Sequence, residues 1–422
     1  MQSERTLPSN AADVSGPRQA LSAGSIRGAS IDRWLLRVFL RLAGRPRIRC
    51  VLPDGEAVCA GDGEPVASMR FLDRATLYRF LLSSELGFGE GYTDGTIEVD
   101  GDLVALIDAV CDRPLPAWAE RLVCRRARAR PNSLTGSRHN IHQHYDLGND
   151  FYRLWLDERL LYTCAYYQTP DATLEEAQIA KMHHVSRKVA LRPGERVVEA
   201  GCGWGSLALH MARHYGVTVR AFNISPEQIA WAREQAAREG LADRVEFIED
   251  DYRNVTGTYD CFMSVGMLEH VGVDHYGELG AVIDRCLPAH GRGLIHSIGR
   301  NRPLPLNPWM ERHIFPGACP PSLGQMMRIF EPNRLSVLDV ENLRLHYERT
   351  MTEWLARFER HVPEVRRMFD ERFVRAWRLY LAGTMIAFRS GSAQLFQVTF
   401  ARERHNGMPW TRAHVYTEEV SR

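Results

Sequence analysis

The chain has 422 residues, of which 45% are hydrophobic and 25% are charged, and this composition is that of a globular protein with a sizeable core and about two or three domains. The formal net charge of +1 gives no indication of a strongly charged partner such as nucleic acid. No run of about 18 apolar residues occurs, so the sequence predicts no membrane-spanning helix.

The nine cysteines are scattered along the chain and never form a C-x-x-C pair. This pattern argues against both a disulfide framework and a structural zinc site. It favours the reduced thiols of a cytoplasmic protein.

The first third of the chain shows no catalytic constellation. Residues 1–30 are polar and rich in Ser, Ala, Gly and Pro without an apolar core, which predicts a disordered tail rather than a signal peptide. Residues 31–117 form a predicted small domain whose role is packing, dimerisation or lipid contact. Its predicted elements are helices at Trp34–Leu42 and Thr76–Leu82 and strands at Arg47–Leu52 and Thr96–Val99.

A basic linker is predicted at residues 118–138, with arginines at 125, 126, 128 and 130. Two interpretations stay open: a solvated connection, or a strip that binds anionic lipid headgroups at about 1 kcal/mol per residue. Nucleic acid is disfavoured as the partner because no aromatic residues are interleaved with the arginines.

Three histidines, His139, His142 and His144, open the region from 139 to 422, which is predicted to be catalytic. Three histidines so close in sequence could bind a metal ion, but no carboxylate or cysteine stands at ligand spacing. We therefore predict that they make local hydrogen bonds and bind no metal.

From Leu174 onwards, helical and strand-like segments alternate, which indicates βαβ units in a doubly wound parallel sheet of an α/β protein. Ligands of such sheets bind at the carboxyl ends of the strands, and polar residues cluster at those positions. The predicted strands are Arg196–Val198, Val217–Phe222, Arg244–Ile248, Tyr259–Val265 and Gly291–Ile298.

A glycine-rich turn follows the first of these strands, with Glu199 before Gly201, Gly203 and Gly205 and a helical segment at Ser206–Tyr215 behind it. Alternate glycines allow backbone N–H groups and a helix N-terminus to approach a nucleotide closely. The dinucleotide fingerprint G-x-G-x-x-G fails because its third glycine position is serine. The acidic residue followed by G-x-G-x-G is instead typical of class I S-adenosylmethionine (SAM) methyltransferases.

Beyond Gly299 lies a proline-rich insert, Asn301–Phe330, which is interpreted either as a lid over a hydrophobic substrate or as extra core packing. The remaining predicted elements are a strand at Leu343–Tyr347, helices at Thr352–Val362 and Glu364–Phe388, and a last strand at Leu395–Phe400.

Seven segments in the same order resemble the cyclopropane-fatty-acyl-phospholipid synthases and the related mycolic acid cyclopropane synthases. They are His144–Asp150, Tyr162–Tyr167, Gly201–Gly205, Ser264–Gly272, Ile314–Gly317, Pro321-Ser322, and Phe388-Arg389 with Gln394–Gln397. The resemblance covers the catalytic region from about His142 to about Ala401, and it implies a class I SAM methyltransferase fold with a helical, proline-rich insert and a small N-terminal domain.

The resemblance also implies an activity and partners. The enzyme would transfer the methyl carbon of SAM to the cis double bond of an unsaturated phospholipid acyl chain and form a cyclopropane. It would be a cytoplasmic homodimer that makes transient contact with the inner face of the membrane.

The site residues that the resemblance implies fall into two sets. One would bind bicarbonate as the general base: Cys164, Glu269, His296, Ile298 and Tyr347. The other would bind SAM: Tyr162, Thr163, Val197, Val198, Glu199, Ala200, Gly201, Cys202, Gly203, Trp204, Gly205, Asn223, Ile224, Ser225, Gln228, Tyr252 and Arg253.

Two positions depart from the expected pattern. Asn223 stands where many class I methyltransferases carry a carboxylate for the ribose hydroxyls, and Thr384 stands where some family members carry a cysteine. A covalent mechanism through a cysteine at that second position is therefore unsupported.

Several alternatives remain open at this stage. The same fold and cofactor would also serve a methyl- or methylene-branching enzyme, an N- or O-methyltransferase of a small molecule, or a silent lipid-binding protein. Glu269-His270 could be a structural hydrogen-bonding pair, Cys164 a small buried residue and Trp204 a packing residue. Aromatic candidates for stabilising a carbocation are Tyr145, Tyr166, Tyr167, Phe315 and Tyr347.

Overall fold

The computed structural model describes residues 23–111 and 147–416. The arginines at 125–130, the three histidines at 139–144 and Tyr145 lie outside these ranges, so the predictions made for them are untested. One predicted boundary is corrected at the start of the chain. Helix α1, Ala23–Leu42, begins inside the segment that was predicted to be a disordered tail.

The small domain is a four-stranded sheet with helices, and its strand order is β2-β1-β3-β4. The two predicted helices and two predicted strands are present, whereas β2, β3, α3 and α4 were not predicted. Its core is formed by side chains such as Leu36, Phe71 and Leu77, all fully buried. The elements are α1, then β1 (Ile48–Val51), β2 (Ala57–Cys59), β3 (Ala67–Phe71), α2 (Arg74–Leu82), α3 (Ser84–Thr93), β4 (Ile97–Gly101) and α4 (Leu103–Cys111).

The large domain contains a seven-stranded sheet with the order β10-β11-β9-β8-β5-β6-β7, in which β5 to β9 are parallel and β11 is antiparallel to both of its neighbours. This arrangement confirms the predicted doubly wound sheet. Its elements are α5 (Asn149–Arg153), α6 (Leu174–Lys188), β5 (Arg196–Ala200), α7 (Ser206–Tyr215), β6 (Thr218–Asn223), α8 (Pro226–Arg238), β7 (Val245–Glu249), β8 (Cys261–Val265), α9 (Tyr276–Cys286), β9 (Arg292–Gly299), α10 (Pro308–His313), α11 (Leu323–Phe330), β10 (Leu335–Asn342), α12 (Arg344–Arg360), α13 (Val362–Met368), α14 (Glu371–Ser390), β11 (Gln394–Arg402) and α15 (Ala413–Tyr416).

Alternate residues of the central strands enter two separate cores. Val197 packs with side chains of α6, α7 and α8 on one face of the sheet, and Val198 packs with side chains of α9 and α11 on the other. Both valines are fully buried. A strand covered on both faces needs a continuous apolar run, and this is why β5 could be recognised in the sequence.

The C-terminal region requires two corrections. The segment Leu343–Tyr347 is not a strand: β10 ends at Asn342, whose side chain accepts a hydrogen bond from Arg344 N at 3.0 Å, and Tyr347 lies in the first turn of α12. The predicted helix over 364–388 is two helices. Asp370 separates them because its side chain caps the N-terminus of α14 through Phe373 N at 2.7 Å.

Aromatic side chains of α5, α12 and α14 and of the residues after α5 form a third core between the glycine-rich turn and the small domain. We call Phe151, Tyr152, Trp155, Trp354 and Trp377 the aromatic layer; all five are at most 3% exposed. Their rings meet largely edge to face, with centroids 5.0 Å apart for Phe151–Trp377 and 5.5 Å for Trp155–Trp354. Such pairs add about 0.5–1.5 kcal/mol each beyond the area they bury.

No helix within 23–111 and 147–416 combines the length and apolar character needed to cross a membrane. Within the same ranges, no group of three or more His, Cys, Asp or Glu residues is placed to hold a metal ion, and the cysteines are free thiols.

Helix α3 of the small domain packs closely against α10 of the insert. Glu90 accepts hydrogen bonds from Arg312 and His313, each at 3.0 Å. Beside this ion pair, Trp309 lies so near the α3 backbone that a Cβ added to Gly89 would be 2.3 Å from its Cγ. The glycine is therefore required for the two domains to meet.

We expect Gly89→Ala to lower the thermal unfolding midpoint, because the added methyl group would overpack a buried tryptophan at a cost of about 1–3 kcal/mol. Gly277→Ala is the matched control, since a Cβ added to that helical glycine has no heavy atom within 4 Å. Calorimetry of both variants checks this, and an unchanged midpoint for Gly89→Ala would contradict the described packing.

Candidate active site

A pocket lies where the strand order of the large sheet reverses. Strand β5 pairs with β6 on one side and β8 on the other, so the connections that leave their carboxyl ends diverge. Residues that follow β5, β6, β7 and β8 line the pocket together with the segment 160–163. A crevice at such a switch point is the usual ligand site of a doubly wound sheet.

The three glycines of the turn serve different purposes, although all three have positive φ, at 84°, 54° and 86°. A Cβ on Gly201 would lie 2.8 Å from Met267 Cβ, and a Cβ on Gly205 would lie 2.6 Å from Phe247. A Cβ on Gly203 would meet no heavy atom within 4 Å, so only this glycine borders open space. Two glycines thus serve packing, and the middle one leaves room for a ligand.

Most of the predicted SAM-binding residues border this pocket, and the others support it. Five predicted residues do not line the pocket and are instead buried or cap a helix: Val197, Val198, Ala200, Gly205 and Ser225. The hydroxyl of Ser225 caps α8. The pocket itself is lined by Tyr162, Thr163, Glu199, Gly201, Cys202, Gly203, Trp204, Asn223, Ile224, Gln228, Tyr252 and Arg253.

Asn223 is bonded directly to the glycine-rich turn. Its Nδ2 donates to Gln228 Oε1 at 2.7 Å and to Gly203 O at 3.2 Å, and its Oδ1 accepts from Ile224 N at 2.8 Å. A carboxylate at this position could not make the two donor contacts. The amide that departs from the expected pattern is therefore part of a local network that fixes the glycine turn.

Glu199 is a buried titratable group that lines the pocket. The residue is 2% exposed, and its Oε2 makes no hydrogen bond with any described residue. Burial raises the pKa of this carboxyl to about 8, although the charge of Lys181 acts in the opposite direction. In its ionised form, this unpaired buried oxygen is a ready acceptor for a cationic ligand group.

Lys181 also lines the pocket and was not predicted from the sequence. It is 1% exposed, and its Nζ donates to Thr163 Oγ1 at 2.6 Å. The sequence did contain an indication, because Lys181 falls on the apolar face of α6 with Leu174, Ala177 and Val185. A lysine on that face is buried and needs a partner.

Other pocket residues that sequence reasoning missed follow the ends of the same strands or precede Tyr162. They are Leu160, Leu161, Ser206, Leu207, Phe222, Asp250, Asp251, Val265, Gly266, Met267, His270 and Val271. Most of them lie at or after the end of a predicted parallel strand, and this criterion would have identified them from the sequence.

The five residues implied for bicarbonate do not line this pocket, but Cys164 and Glu269 are chain neighbours of residues that do. Glu269 Oε1 accepts from Ile298 N at 2.5 Å, and its buried Oε2 has no hydrogen bond within the described residues. Burial raises the pKa of Glu269 to about 7. His296 Nδ1 and Gln397 Nε2 are 3.1 Å apart, and burial holds the histidine pKa well below its usual value, so the ring is neutral.

Cys164 and Tyr347 meet at the backbone of Leu343. The carbonyl of Leu343 lies 4.0 Å from Cys164 Sγ and accepts from Tyr347 N at 3.2 Å. Burial raises the pKa of the Cys164 thiol, so it is a neutral thiol rather than a nucleophilic thiolate. The Tyr347 ring stacks on Phe388 at 4.4 Å.

One wall of the pocket continues into aromatic side chains. The hydroxyl groups of Tyr162 and Tyr380 are 2.7 Å apart, and the Tyr380 ring meets Phe315 with centroids 5.4 Å apart. Phe315 in turn lies 6.2 Å from the ring of His270, which also lines the pocket. Tyr166 is placed differently, since it stacks on His184 at 4.0 Å, and Tyr167 stacks near His346.

These residues fit SAM. Its α-ammonium group suits the unpaired oxygen of Glu199, and the open side of Gly203 admits the close approach of a nucleoside. The adjoining aromatic wall provides a water-poor environment next to the pocket.

We expect Glu199→Gln to weaken binding of S-adenosylhomocysteine about 10- to 100-fold, because a charge-assisted hydrogen bond is worth about 1.5–3 kcal/mol. Isothermal titration calorimetry measures the change. The matched control is Glu249→Gln at the exposed end of β7, which should bind like the unmodified protein. Equal affinities for all three proteins would show that Glu199 does not contact the ligand.

Comparison with known proteins agrees with the geometry. The family model described as mycolic acid cyclopropane synthetase matches residues 132–398. The cyclopropane-fatty-acyl-phospholipid synthase of Escherichia coli is 37% identical over 82% of this chain and 91% of its own length. The tuberculostearic acid methyltransferase of Mycobacterium tuberculosis is 34% identical over 92% of this chain and 94% of its own length.

A solved structure shows the same fold with a cofactor product bound. It is the mycolic acid cyclopropane synthase CmaA1 complexed with SAH and CTAB, with a TM-score of 0.60 and 29% identity over 63% of this chain and 98% of that one. The chain therefore belongs to the mycolic acid cyclopropane synthetase family and is a SAM-dependent methyltransferase with the class I fold.

Proposed function

We propose that this enzyme adds the methyl carbon of SAM to the cis double bond of an unsaturated acyl chain in a membrane phospholipid and closes a cyclopropane ring. The observation that carries the proposal is the aromatic wall that leads from the cofactor pocket through Tyr162, Tyr380 and Phe315. The relative from Escherichia coli, named as a synthase of cyclopropane fatty acyl phospholipids, supports the same substrate class.

The chemistry explains why aromatic side chains suit this site. SAM supplies an electrophilic methyl group, and an alkene is a weak nucleophile that has no proton to lose before it attacks. The protein must therefore align the double bond, exclude water and stabilise the positive charge that develops on the acyl chain. The faces of Tyr162, Phe315 and Tyr380 stabilise a cation without being strong nucleophiles.

Ring closure requires the loss of a proton from the newly added carbon, and we propose that a bound bicarbonate is the base. Glu269 Oε2 would accept its hydroxyl proton, because this oxygen is buried and unpaired within the described residues. Cys164, His296, Ile298 and Tyr347 would complete the site. Because burial raises the pKa of Glu269 to about 7, the ionised form that accepts this hydrogen bond is present at and above neutral pH.

A second candidate is a methyl- or methylene-branched product formed on the same fold. The tuberculostearic acid methyltransferase favours it, since that relative covers 92% of this chain. A small-molecule N- or O-methyltransferase is the more distant alternative, and it would not require lipid vesicles.

Pure protein incubated with labelled SAM and dioleoyl phosphatidylglycerol vesicles should give acyl chains that have gained one CH2 and lost the in-chain double bond, as a strongly hydrophobic reaction site predicts. Mass spectrometry detects the gain, and cyclopropyl protons in NMR spectra distinguish a ring from a methylene branch. A gain of one carbon and four hydrogens would establish a methyl branch instead.

We expect Glu269→Gln to reduce turnover by about 10²-fold or more while binding of S-adenosylhomocysteine changes little, as is found when one positioned polar group is lost. Turnover on vesicles and calorimetry measure the two effects. Glu278→Gln is the control, because Glu278 is exposed on α9 and pairs only weakly with His275 at 3.4 Å. Full activity of Glu269→Gln would remove the basis for an anion site at this position.

We further propose that the outer face of α1 contacts the membrane surface. Ile31, Trp34 and Leu42 are 54%, 63% and 67% exposed, and Arg37 and Arg41 are exposed on the same helix. Apolar and aromatic residues beside arginines are typical of helices that lie on anionic bilayers. The inner face of the helix remains anchored in the small domain through Leu36 and Leu40.

Trp34→Glu should lower co-sedimentation with phosphatidylglycerol vesicles at least about fivefold, because it places a negative charge on this face. Leu345→Glu is the matched control, since Leu345 is 62% exposed on α12 of the large domain. Analytical ultracentrifugation of the same variants tests the homodimer that the family resemblance implies. If Trp34→Glu changes the sedimentation coefficient and leaves vesicle binding intact, the face is a subunit interface.

A further inference from the structure

The mechanism above gives no role to one buried cation. Lys181 lies at the floor of the cofactor pocket, at 1% exposure, and is surrounded by groups of both proposed sites. Its Nζ donates to Thr163 Oγ1 at 2.6 Å, and Thr163 stands between Tyr162 of the cofactor site and Cys164 of the anion site.

We propose that Lys181 is a positioning residue: its ammonium holds the Tyr162–Cys164 segment against the pocket and favours the anionic form of Glu199, which the cofactor's ammonium binds. The inference rests on the part of the proposed function that assigns Glu199 to the cofactor.

The first support is the geometry of the segment that Lys181 holds. One turn earlier on α6, Gln178 Nε2 donates to Thr163 O at 3.0 Å and to Leu161 O at 3.2 Å. From the other side, a Cβ added to Gly266 would lie 2.8 Å from Thr163 Cγ2. Thr163 is thus held between α6 and the end of β8, and both contacts from α6 come from one helix face.

The second support is the charge balance of the pocket. An ionised carboxylate that is buried and unpaired is strongly unfavourable unless a cation is near. Glu199 is such a group when it is ionised: burial raises its pKa to about 8, and the charge of Lys181 opposes this rise. Burial lowers the pKa of Lys181 to about 8, while the charges of Asp157 and Glu199 act to raise it.

The surrounding groups keep the lysine charged near neutral pH. Asp157, 2% exposed, accepts from Leu161 N at 2.8 Å and has a pKa of about 6, so it is ionised at neutral pH. Two buried histidines interact electrostatically with Lys181: His210 on α7 and His296 on β9. Both are neutral because burial lowers their pKa far below the usual value. Neither histidine therefore adds a positive charge that would repel the lysine.

The sign of the expected pH effect follows from these groups. The cofactor's ammonium binds the ionised form of Glu199, so affinity falls as the pH drops through the pKa of that carboxyl. Removal of Lys181 takes away the charge that lowers this pKa. The fall in affinity should then begin at a higher pH, and a carboxyl pKa that is one pH unit higher makes binding about tenfold weaker at the acidic end.

The test is calorimetric binding of S-adenosylhomocysteine from about pH 6 to about pH 10, a range that covers the pKa of Glu199 and the upward shift expected without the lysine. Lys181→Met, with Lys181→Gln as a second uncharged variant, should move the midpoint of the affinity profile upward by at least about one pH unit. Lys181→Arg should restore the midpoint of the unmodified protein, even where its absolute affinity is lower.

Gln178→Leu is the matched control for the purely structural effect. It removes two hydrogen bonds from the same segment without changing charge, so it should weaken binding by the same factor at every pH. In the Glu199→Gln background, Lys181→Met should no longer move the midpoint.

A Lys181→Met profile that parallels the Gln178→Leu profile, or that coincides with the unmodified protein, would overturn the proposal. The binding assay contains no lipid, so this outcome is separate from the acyl-chain assay. A negative result with phospholipid vesicles would equally leave the role of Lys181 intact.

Discussion

The structure depends on the reversal of strand order at β5. Because β6 and β8 flank this strand, the segments that leave the three strands separate and open a crevice without distorting the sheet. The left-handed conformations of Gly201, Gly203 and Gly205 then turn the chain sharply enough to start α7 at the edge of that crevice. The other residues that line the pocket surround this turn, and Asn223 is hydrogen-bonded to it.

The site combines two environments that normally exclude each other. Glu199 and Lys181 place a carboxyl group and an amine in the interior, whereas the aromatic layer and the wall formed by Tyr162, Tyr380 and Phe315 present a surface suited to hydrocarbon. A cofactor with a charged end and a reactive sulfonium can bridge them, since its charged end pairs with the carboxylate while its methyl group faces the apolar side. Proximity of charge to a dry region strengthens each remaining electrostatic interaction.

Much of this architecture was predictable from the sequence, for physical reasons. Buried parallel strands such as β5 require continuous apolar runs, and the glycine turn has a distinctive spacing, so the sheet and the pocket floor were recognised. Lys181 was missed because a lysine in a helix is normally solvated, and only its position on the apolar face indicated burial. Tyr347 was assigned to a strand because β10 and α12 are separated by a single residue, Leu343, and periodicity does not resolve such a short break.

The small domain illustrates a different limit, because its packing, both internal and against the insert, depends on glycines whose spacing predicts no element. In α3, Gly87 lies against the backbone of Arg79 and Phe80, Gly89 against Trp309, and Gly91 against Ile97. The family model begins only at residue 132, so this domain lies outside the matched region. Excision of the domain would therefore uncover Trp309, which is 3% exposed in this structure. In this chain, the small domain and the insert complete each other's packing where α3 meets α10.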